Sequence, residues 1–385
     1  VLAQLDGISE IGHSYQSDAR GGCEVSIGDT ALAHVRQPAS CVLQDKPRFD
    51  SKLTNIFPIN RWSNSEGVSR SAVDQLFSYN LGVTHPLGKR FGMGLAWETG
   101  GWQTKFPNVP LSQKFLTSEV SSLGFKKFSV VGNLGAKVTE KIFVGAGPHI
   151  AVVRLSTKMP AGAGLLDLPT SYAAGAGYQL GALYHPSKFL SFGASYASPV
   201  YMGGIDRTAD FLTLGRRTPV PVSIRPFTIP GRVSFGVSGA PSQKMKVALE
   251  GAYLNYGSSI LGRTKLNSPF NTAFSPGFRN LWVINTGMDY EISRGWSGSI
   301  GYVWNSQPIS GPNMVPFYAA NVQNQLTWGL RYRRGRVWTG FAHIIGLPAA
   351  THANGTTHLA LGAIYPNSTV RQMLQSFNFG VGFNF

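Results

Sequence analysis

The sequence predicts an all-β fold, a 14-stranded antiparallel transmembrane β-barrel with an N-terminal hatch (plug) inside it. Three observations predict this. Apolar and polar residues alternate with period two along most of the chain, the connections alternate between short and long, and charge is scarce. Of 385 residues only 14% are charged, while 46 are glycine and 12% are aromatic; soluble domains carry nearer a quarter charged. The mean hydropathy is −0.03, and no uncharged apolar run reaches the ~18 residues that a spanning helix needs. Abundant, evenly spread aromatic residues exclude a disordered chain.

Residues 1–44 do not follow the strand pattern and are expected to form the hatch, with 45–385 as the barrel. Val1-Leu2-Ala3 resembles the end of a cleavage site. Cys23 and Cys41 lie in this stretch, close enough in sequence to be a candidate disulfide in an oxidising compartment. No further ligands stand near them, so no metal site is expected.

The first clear strand sets Phe77, Tyr79, Leu81 and Val83 against Ser78, Asn80, Gly82 and Thr84. After Gly88-Lys89-Arg90 the next sets Phe91, Met93, Leu95 and Trp97 against Gly92, Gly94, Ala96 and Glu98. Period two is the signature of a strand. It recurs at Tyr178–Tyr184, Trp282–Met288 and Leu326–Tyr332. The last strand places Phe377, Phe379, Val381, Phe383 and Phe385 against Asn378, Gly380, Gly382 and Asn384. Tight turns are expected at Gly88-Lys89-Arg90, Thr139-Glu140-Lys141, Pro186-Ser187-Lys188, Pro241-Ser242-Gln243, Ser293-Arg294-Gly295 and Arg333-Arg334-Gly335. Long Pro/Gly-rich loops are expected near 60–72, 103–121, 157–170, 203–228, 258–277, 307–320 and 346–371. Short turns on one side and long loops on the other are the organisation of an outer-membrane barrel. Closure suits lipid because it leaves no unpaired edge. A soluble sandwich or propeller would alternate too, but would not carry apolar aromatics on one parity throughout. Most glycines fall on the inward parity, where they clear interior space.

The net charge of +16 is scattered over turns and loops without a contiguous patch, so nucleic acid is not an expected partner. Arg207, Arg216, Arg217, Arg225, Arg263 and Lys265 fall in loops, where they could meet lipopolysaccharide phosphates. The inward Glu98, Glu250 and Asp289 are expected to pair with inward cations such as Lys246. Phosphate-loop, nucleophile-elbow and zinc-protease motifs are absent, and neither an enzyme nor a cofactor is expected.

On Ile11-Gly12-His13-Ser14-Tyr15, Gly28-Asp29-Thr30-Ala31, Gln37-Pro38-Ala39 and the hairpin Val83-Thr84-His85-Pro86 to Phe91-Gly92-Met93-Gly94, the chain resembles the FadL family. These are outer-membrane transporters of long-chain fatty acids and hydrocarbons. Thr99-Gly100-Gly101, Ile142–Gly147, Thr228-Ile229-Pro230 and Gly277-Phe278-Arg279 extend the likeness, while Gln37 replaces the Asn of the family's hatch motif. The resemblance implies capture by outer loops, an internal pocket, and sideways release through a gap at a kinked third strand. It makes Gln37, Pro38 and Ala39 gating residues of the hatch. It makes Thr99, Gly100 and Gly101 the lateral gap, and paired glycines in a strand often mark a bend. Arg154 and Arg279 become the ligand-binding cations, since a guanidinium can hold a carboxylate through two hydrogen bonds. Strict alternation puts Arg154 on the lipid parity unless a bulge at Pro148 intervenes. Leu165, Leu166 and Leu168, beside Met159 and Pro160, would form an apolar capture surface with Phe211 and Leu212.

The function so implied is passive transport of hydrophobic compounds, foremost long-chain fatty acids, across the bacterial outer membrane. Its alternatives are a monoaromatic hydrocarbon transporter of the same family and a structural or adaptor barrel in an envelope or secretion complex. The expected partners are a hydrophobic small molecule, outer-membrane lipid and lipopolysaccharide, with an envelope protein in the adaptor case.

Overall fold

In a computed structural model the chain is a closed barrel. The structure describes residues 10–107, 121–161, 164–213, 215–259, 262, 265–267, 277–316, 322–354 and 366–385. Fourteen strands make the wall. The first seven are β1 (Arg48–Asn64), β2 (Leu76–Leu87), β3 (Phe91–Phe106), β4 (Ser121–Lys137), β5 (Ile142–Ala161), β6 (Gly164–Ser187) and β7 (Leu190–Ala197). The others are β8 (Arg232–Ser242), β9 (Met245–Leu254), β10 (Leu281–Ser293), β11 (Trp296–Asn305), β12 (Asn324–Arg334), β13 (Val337–His352) and β14 (Thr369–Asn384). Each pairs antiparallel with its neighbours, and β14 closes on β1 from Arg48↔Asn384 to Ser63↔Thr369. All six expected tight turns join consecutive wall strands, and both ends of the barrel chain lie on that same side.

The outward parity is apolar. Phe77, Leu95, Leu134, Phe235, Trp282 and Ile300 are each more than half exposed, which a water-facing sheet would not tolerate at this density. Trp282 and Tyr290 both point outward from β10. Eight residues of strand separate them, about 27 Å of contour, close to the ~25 Å apolar band of such barrels. Among the described residues no helix is long and apolar enough to cross a membrane.

Three expected loops are largely strand instead: near 60–72, β1 runs on to Asn64 and turns back into the short strand Gly67–Arg70. β5 and β6 stay paired out to Ala161↔Gly164, through the stretch near 157–170. Within 203–228, Ile205–Thr213 and Arg216–Arg225 form a hairpin whose Leu212, Phe211 and Asp210 pair with Leu165, Leu166 and Asp167 of β6. The pairing explains the difference: Pro219 and Pro221 read as loop formers, yet Val220, Val222 and Ile224 alternate with them and bury their side chains. The expected loops near 103–121 and 258–277 lie largely outside the described residues; of that near 307–320, residues 307–316 are irregular chain with a 3-10 turn at Gly311–Asn313, and into that near 346–371 β13 continues to His352.

Residues 10–41 are almost wholly buried, in a short helix α1 (Tyr15–Ala19), two 3-10 turns and irregular chain. Ser14 caps α1 through its side chain and Ser17 bonds back to it. The inward glycines make room for this segment. A Cβ on Gly145 would overlap Pro38, one on Gly181 would overlap Gln37, one on Gly193 the Val25 carbonyl, and one on Gly287 the Arg20 carbonyl. Gly145→Leu is therefore expected to cost about 1–3 kcal/mol by overpacking and to lower the midpoint of chemical unfolding. Gly251→Leu should leave the midpoint within about 0.5 kcal/mol of the parent, because a Cβ there meets nothing within 4 Å.

Candidate functional site

The inner face of the wall changes character along the strands. Toward the long-connection side it is apolar: Trp62, Trp102, Phe106, Leu123, Phe125 and Val153 are buried there in one continuous cluster. Toward the short-turn side it is polar, with Asp50, Lys52, Asn80, Asn133, Glu250 and Asn285 buried. The N-terminal segment occupies the polar half. Its irregular backbone leaves amides and carbonyls that helix or sheet would otherwise pair, and a buried one left unpaired costs about 1–3 kcal/mol. Wall side chains supply the partners. The amides of Val25 and Ser26 donate to Glu250 Oε1 at 2.6 and 3.1 Å. The Ala31 amide donates to Asp50 Oδ2 at 2.5 Å, Lys52 Nζ donates to the Gly12 carbonyl at 2.7 Å, and Thr327 Oγ1 donates to the Ala19 carbonyl at 2.9 Å.

At the boundary between the two halves sits an ion cluster shared by segment and wall. His13 Nδ1 lies 2.5 Å from Glu24 Oε1 and its Nε2 lies 3.2 Å from Glu98 Oε2. Glu98 also meets Lys127 at 2.6 Å and His149 at 3.5 Å, while Arg36 lies 3.4 Å from Glu24. Nearer the short turns, within the polar half, Lys52 joins Glu10 and Asp18 at 2.7 and 2.9 Å, and Arg20 joins Asp29 and Asp289 at 2.5 and 2.9 Å. Burial pulls His13 down, but the charge of Glu24 and the hydrogen bonds to Glu24 and Glu98 outweigh it and raise its pKa above the usual 6.5. Burial alone would raise Glu24; the charges of His13 and Arg36 overcome it and hold Glu24 at about 2. Burial also drives His34 down to about 4, leaving a neutral ring whose Nδ1 lies 3.0 Å from Asn133 Nδ2.

Glu98 is the residue before the expected gap. The β2–β3 ladder runs from Leu87↔Phe91 to Leu81↔Trp97 and stops there. Beyond it a side chain stands in for the ladder. The Tyr79 amide donates to Thr99 Oγ1 at 3.2 Å, Thr99 Oγ1 donates to the Tyr79 carbonyl at 3.1 Å, and the Thr99 amide donates to Asn80 Oδ1 at 3.1 Å. Gly100, Gly101 and Trp102 are then buried in succession, which breaks the alternation. Gly101 has φ +133°, open only to glycine, and a Cβ there would overlap the Phe125 carbonyl. Thr99 and Gly100 line a cavity with about 790 Å³ of empty space, part of it continuous with the outside. Arg36, Glu98, Lys127, His149 and Arg232 contribute polar lining; Val35, Val200, Ile229, Pro230 and Leu254 are apolar.

The structure draws some of the expected site residues together and separates others. Thr99 and Gly100 reach the cavity. Gln37 clips segment to wall: its Nε2 lies 2.9, 3.1 and 3.2 Å from the carbonyls of Val25, Ala182 and Ala194. Pro38 and Ala39 begin the 3-10 turn that Gln37 caps. Leu165, Leu166 and Leu168 are 1–3% exposed, Leu166 and Leu168 within the inner apolar cluster and Leu165 on the other parity, in the strand that the hairpin carrying Phe211 pairs with, so no exposed capture surface forms from them. Arg154 stands on the outward parity opposite Lys126. The ladder at Gly147 and Pro148 is interrupted, yet its register is kept from Leu134↔Ala146 to Val131↔His149, so no inserted residue turns Arg154 inward. Arg279 is exposed, its amide bonded to the Pro308 carbonyl. The expected disulfide is not formed: Cys23 and Cys41 are free and buried. Cys23 lies against Ala248 and Cys41 against Asn133, on different parts of the wall. Burial pushes the Cys41 thiol up to about 12, which makes it inert. Lys246 meets Asp29, at 3.8 Å, rather than Glu98, Glu250 or Asp289. Sequence reasoning missed Glu10, His13, Glu24, Arg36, Lys127 and His149. Inward parity was a usable signal for the last two; the segment's residues had none.

The class so defined is a closed fourteen-stranded barrel filled on one side by its own N-terminal segment and interrupted at one seam. That fold is shared with solved transporters over nearly the whole chain. A FadL homologue of Pseudomonas aeruginosa superposes with TM-score 0.80 at 13% identity, covering 98% of this chain and 100% of that one. The Ralstonia pickettii toluene transporter TbuX gives 0.77 at 15%, over 97% and 98%. The P. putida toluene transporter TodX gives 0.77 at 16%, over 97% and 99%. The chain has the FadL-type fold. No family model matches it, and neither does any curated protein.

The ion cluster makes stability depend on pH. His13 is raised, so its contribution is complete below pH 6.5 and is lost as pH rises through the raised value. Glu24 is lowered, so its contribution is complete above 4.5 and is lost only as pH falls toward about 2. The unfolding midpoint is expected to drop as pH rises above 6.5, and His13→Gln should flatten that limb. An unchanged slope in the variant would remove His13 from the account.

Proposed function

We propose that the protein is a passive outer-membrane transporter of hydrophobic compounds, foremost long-chain fatty acids. The observation that carries this reading is the cavity of mixed polar and apolar lining, which lies beside a seam where Thr99 and Asn80 stand in for the wall ladder. The exposed apolar belt supports placement in a membrane. The N-terminal segment acts as the hatch. It fills the polar half of the barrel, and Gln37, at the head of Gln37-Pro38-Ala39, clips it to the wall. Apolar cargo passes from the outer hairpins to the chamber and leaves sideways at Thr99, Gly100 and Gly101. Each buried CH₂ contributes roughly 0.8 kcal/mol, so transfer toward the bilayer needs no nucleotide. His13 binds Glu98 next to the seam, which couples hatch position to the exit.

A fatty acid is favoured by the mixed lining, where Arg36 and Arg232 stand near Val200, Ile229 and Leu254. A small aromatic hydrocarbon is the second reading. It is favoured because Lys127 and Arg36 already have Glu98 and Glu24 as partners, and because two of the solved structures of this fold are toluene transporters. Mass spectrometry of molecules retained by the purified barrel separates the two. Gly100→Trp, which plugs the seam side of the cavity, is expected to slow uptake of a labelled fatty acid by about tenfold or more, the effect of ~1.4 kcal/mol. Retention of the ligand by the purified protein should persist. Uptake at the wild-type rate would exclude the seam as the exit.

A further inference from the structure

Six cations lie in an arc on the outward face, at the long-connection edge of the apolar belt. Arg61 of β1 is directly opposite Arg371 of β14 on one side and Arg70 of the short strand Gly67–Arg70 on the other. Lys126 of β4 is directly opposite Arg154 of β5. Lys105 of β3 bridges the two groups, its amide bonded to Ser71 Oγ and its carbonyl to the Ala72 amide. Like charges opposite one another in a sheet are destabilising, and among the described residues none of the six is ion-paired. One outward step below four of them the residues turn apolar: Ile59 beneath Arg61, Met373 beneath Arg371, Phe128 beneath Lys126 and Val152 beneath Arg154.

We propose that this arc binds the phosphates of a phosphorylated glycolipid in the outer leaflet, with its acyl chains lying on the belt below. Charge and height select this occupant. Guanidinium groups grip phosphate oxygens in pairs, and an anion between opposed cations removes their repulsion. A lipid phosphate stands one step above its acyl chains, as these cations stand above Ile59, Met373, Phe128 and Val152. The arc spans the β2–β3 seam, so a lipid held there forms the first layer that cargo meets on leaving the wall. The inference rests on the proposed membrane placement but not on the cargo.

The test uses the full chain in phosphatidylcholine vesicles, with and without a tenth of diphosphorylated lipid A. Wild type is expected to unfold at a higher temperature when lipid A is present. Each cation removed should weaken lipid A binding by roughly fivefold. Arg61→Gln/Arg371→Gln and Lys126→Gln/Arg154→Gln should therefore lose most of the shift, while the turn-side Lys89→Gln/Arg90→Gln keeps it. In phosphatidylcholine alone both arc variants should unfold at or above the wild-type midpoint, since repulsion has been relieved. Arc variants that keep the full lipid A shift, or that are destabilised without lipid A, overturn the proposal. So does inorganic phosphate that reproduces the shift in phosphatidylcholine vesicles. Migration of the folded barrel after reconstitution reads insertion separately, so failure of the membrane placement is distinguishable from failure of the lipid site.

Discussion

A peptide group withdrawn from water must find its hydrogen bonds within the protein, and this constraint governs both the wall and what it encloses. For the wall the answer is closure: β14 returns to β1 over the whole length of Arg48–Ser63. For the N-terminal segment, irregular and enclosed, the answer is a set of inward side chains. Glu250, Asp50, Lys52 and Thr327 meet backbone groups of the segment one by one. The two answers depend on each other. Without the segment those side chains would be buried charges facing an empty lumen, and without them the segment would be a buried chain with orphan amides.

The seam is the place where the same constraint is relaxed. Thr99 offers one hydroxyl and its amide to Tyr79 and Asn80, and the next residues of β3 have no ladder partner on β2 until the Lys105 carbonyl accepts from Ala72. A break in a lipid-facing ladder is costly unless something is gained. Here the break adjoins Glu98, which His13 of the segment binds, and a cavity that Thr99 and Gly100 line. Ladder bonds are lost where segment, cavity and wall meet, which is the placement expected if the seam serves the proposed transport.

Much of the wall was legible from alternation because parity is local: each residue's side follows from its neighbours. Phe77, Tyr79, Leu81 and Val83 turn outward as read, and all six short turns hold. The Thr99-Gly100-Gly101 break was legible through the resemblance and its glycines. The partners of inward charge were not legible, because they come from non-local register. Nothing in the sequence near His13 announces that Glu24 and Glu98 will flank it, 11 and 85 residues away. The capture leucines misled for a related reason. Pro-rich stretches read as loops, yet the strand Ile205–Thr213, half of a hairpin, pairs with β6 at Leu165 and Leu166.

The abundance of glycine takes on a sharper meaning from this. An inward glycine in a porin-like wall would widen a channel. Here Gly145, Gly181, Gly193 and Gly287 approach the segment too closely for any side chain, so the space they open is taken by backbone. Strand glycines weaken a sheet by lost packing and added entropy. That cost is offset only while the segment is seated against them, its amides on Glu250 and Asp50. Displacing the segment would leave a glycine-lined, poorly packed half-barrel with unpaired charge, so a full withdrawal is unfavourable. On the proposed transport reading, small movements at the His13–Glu98 contact, beside the seam, are the cheaper way to open a sideways path.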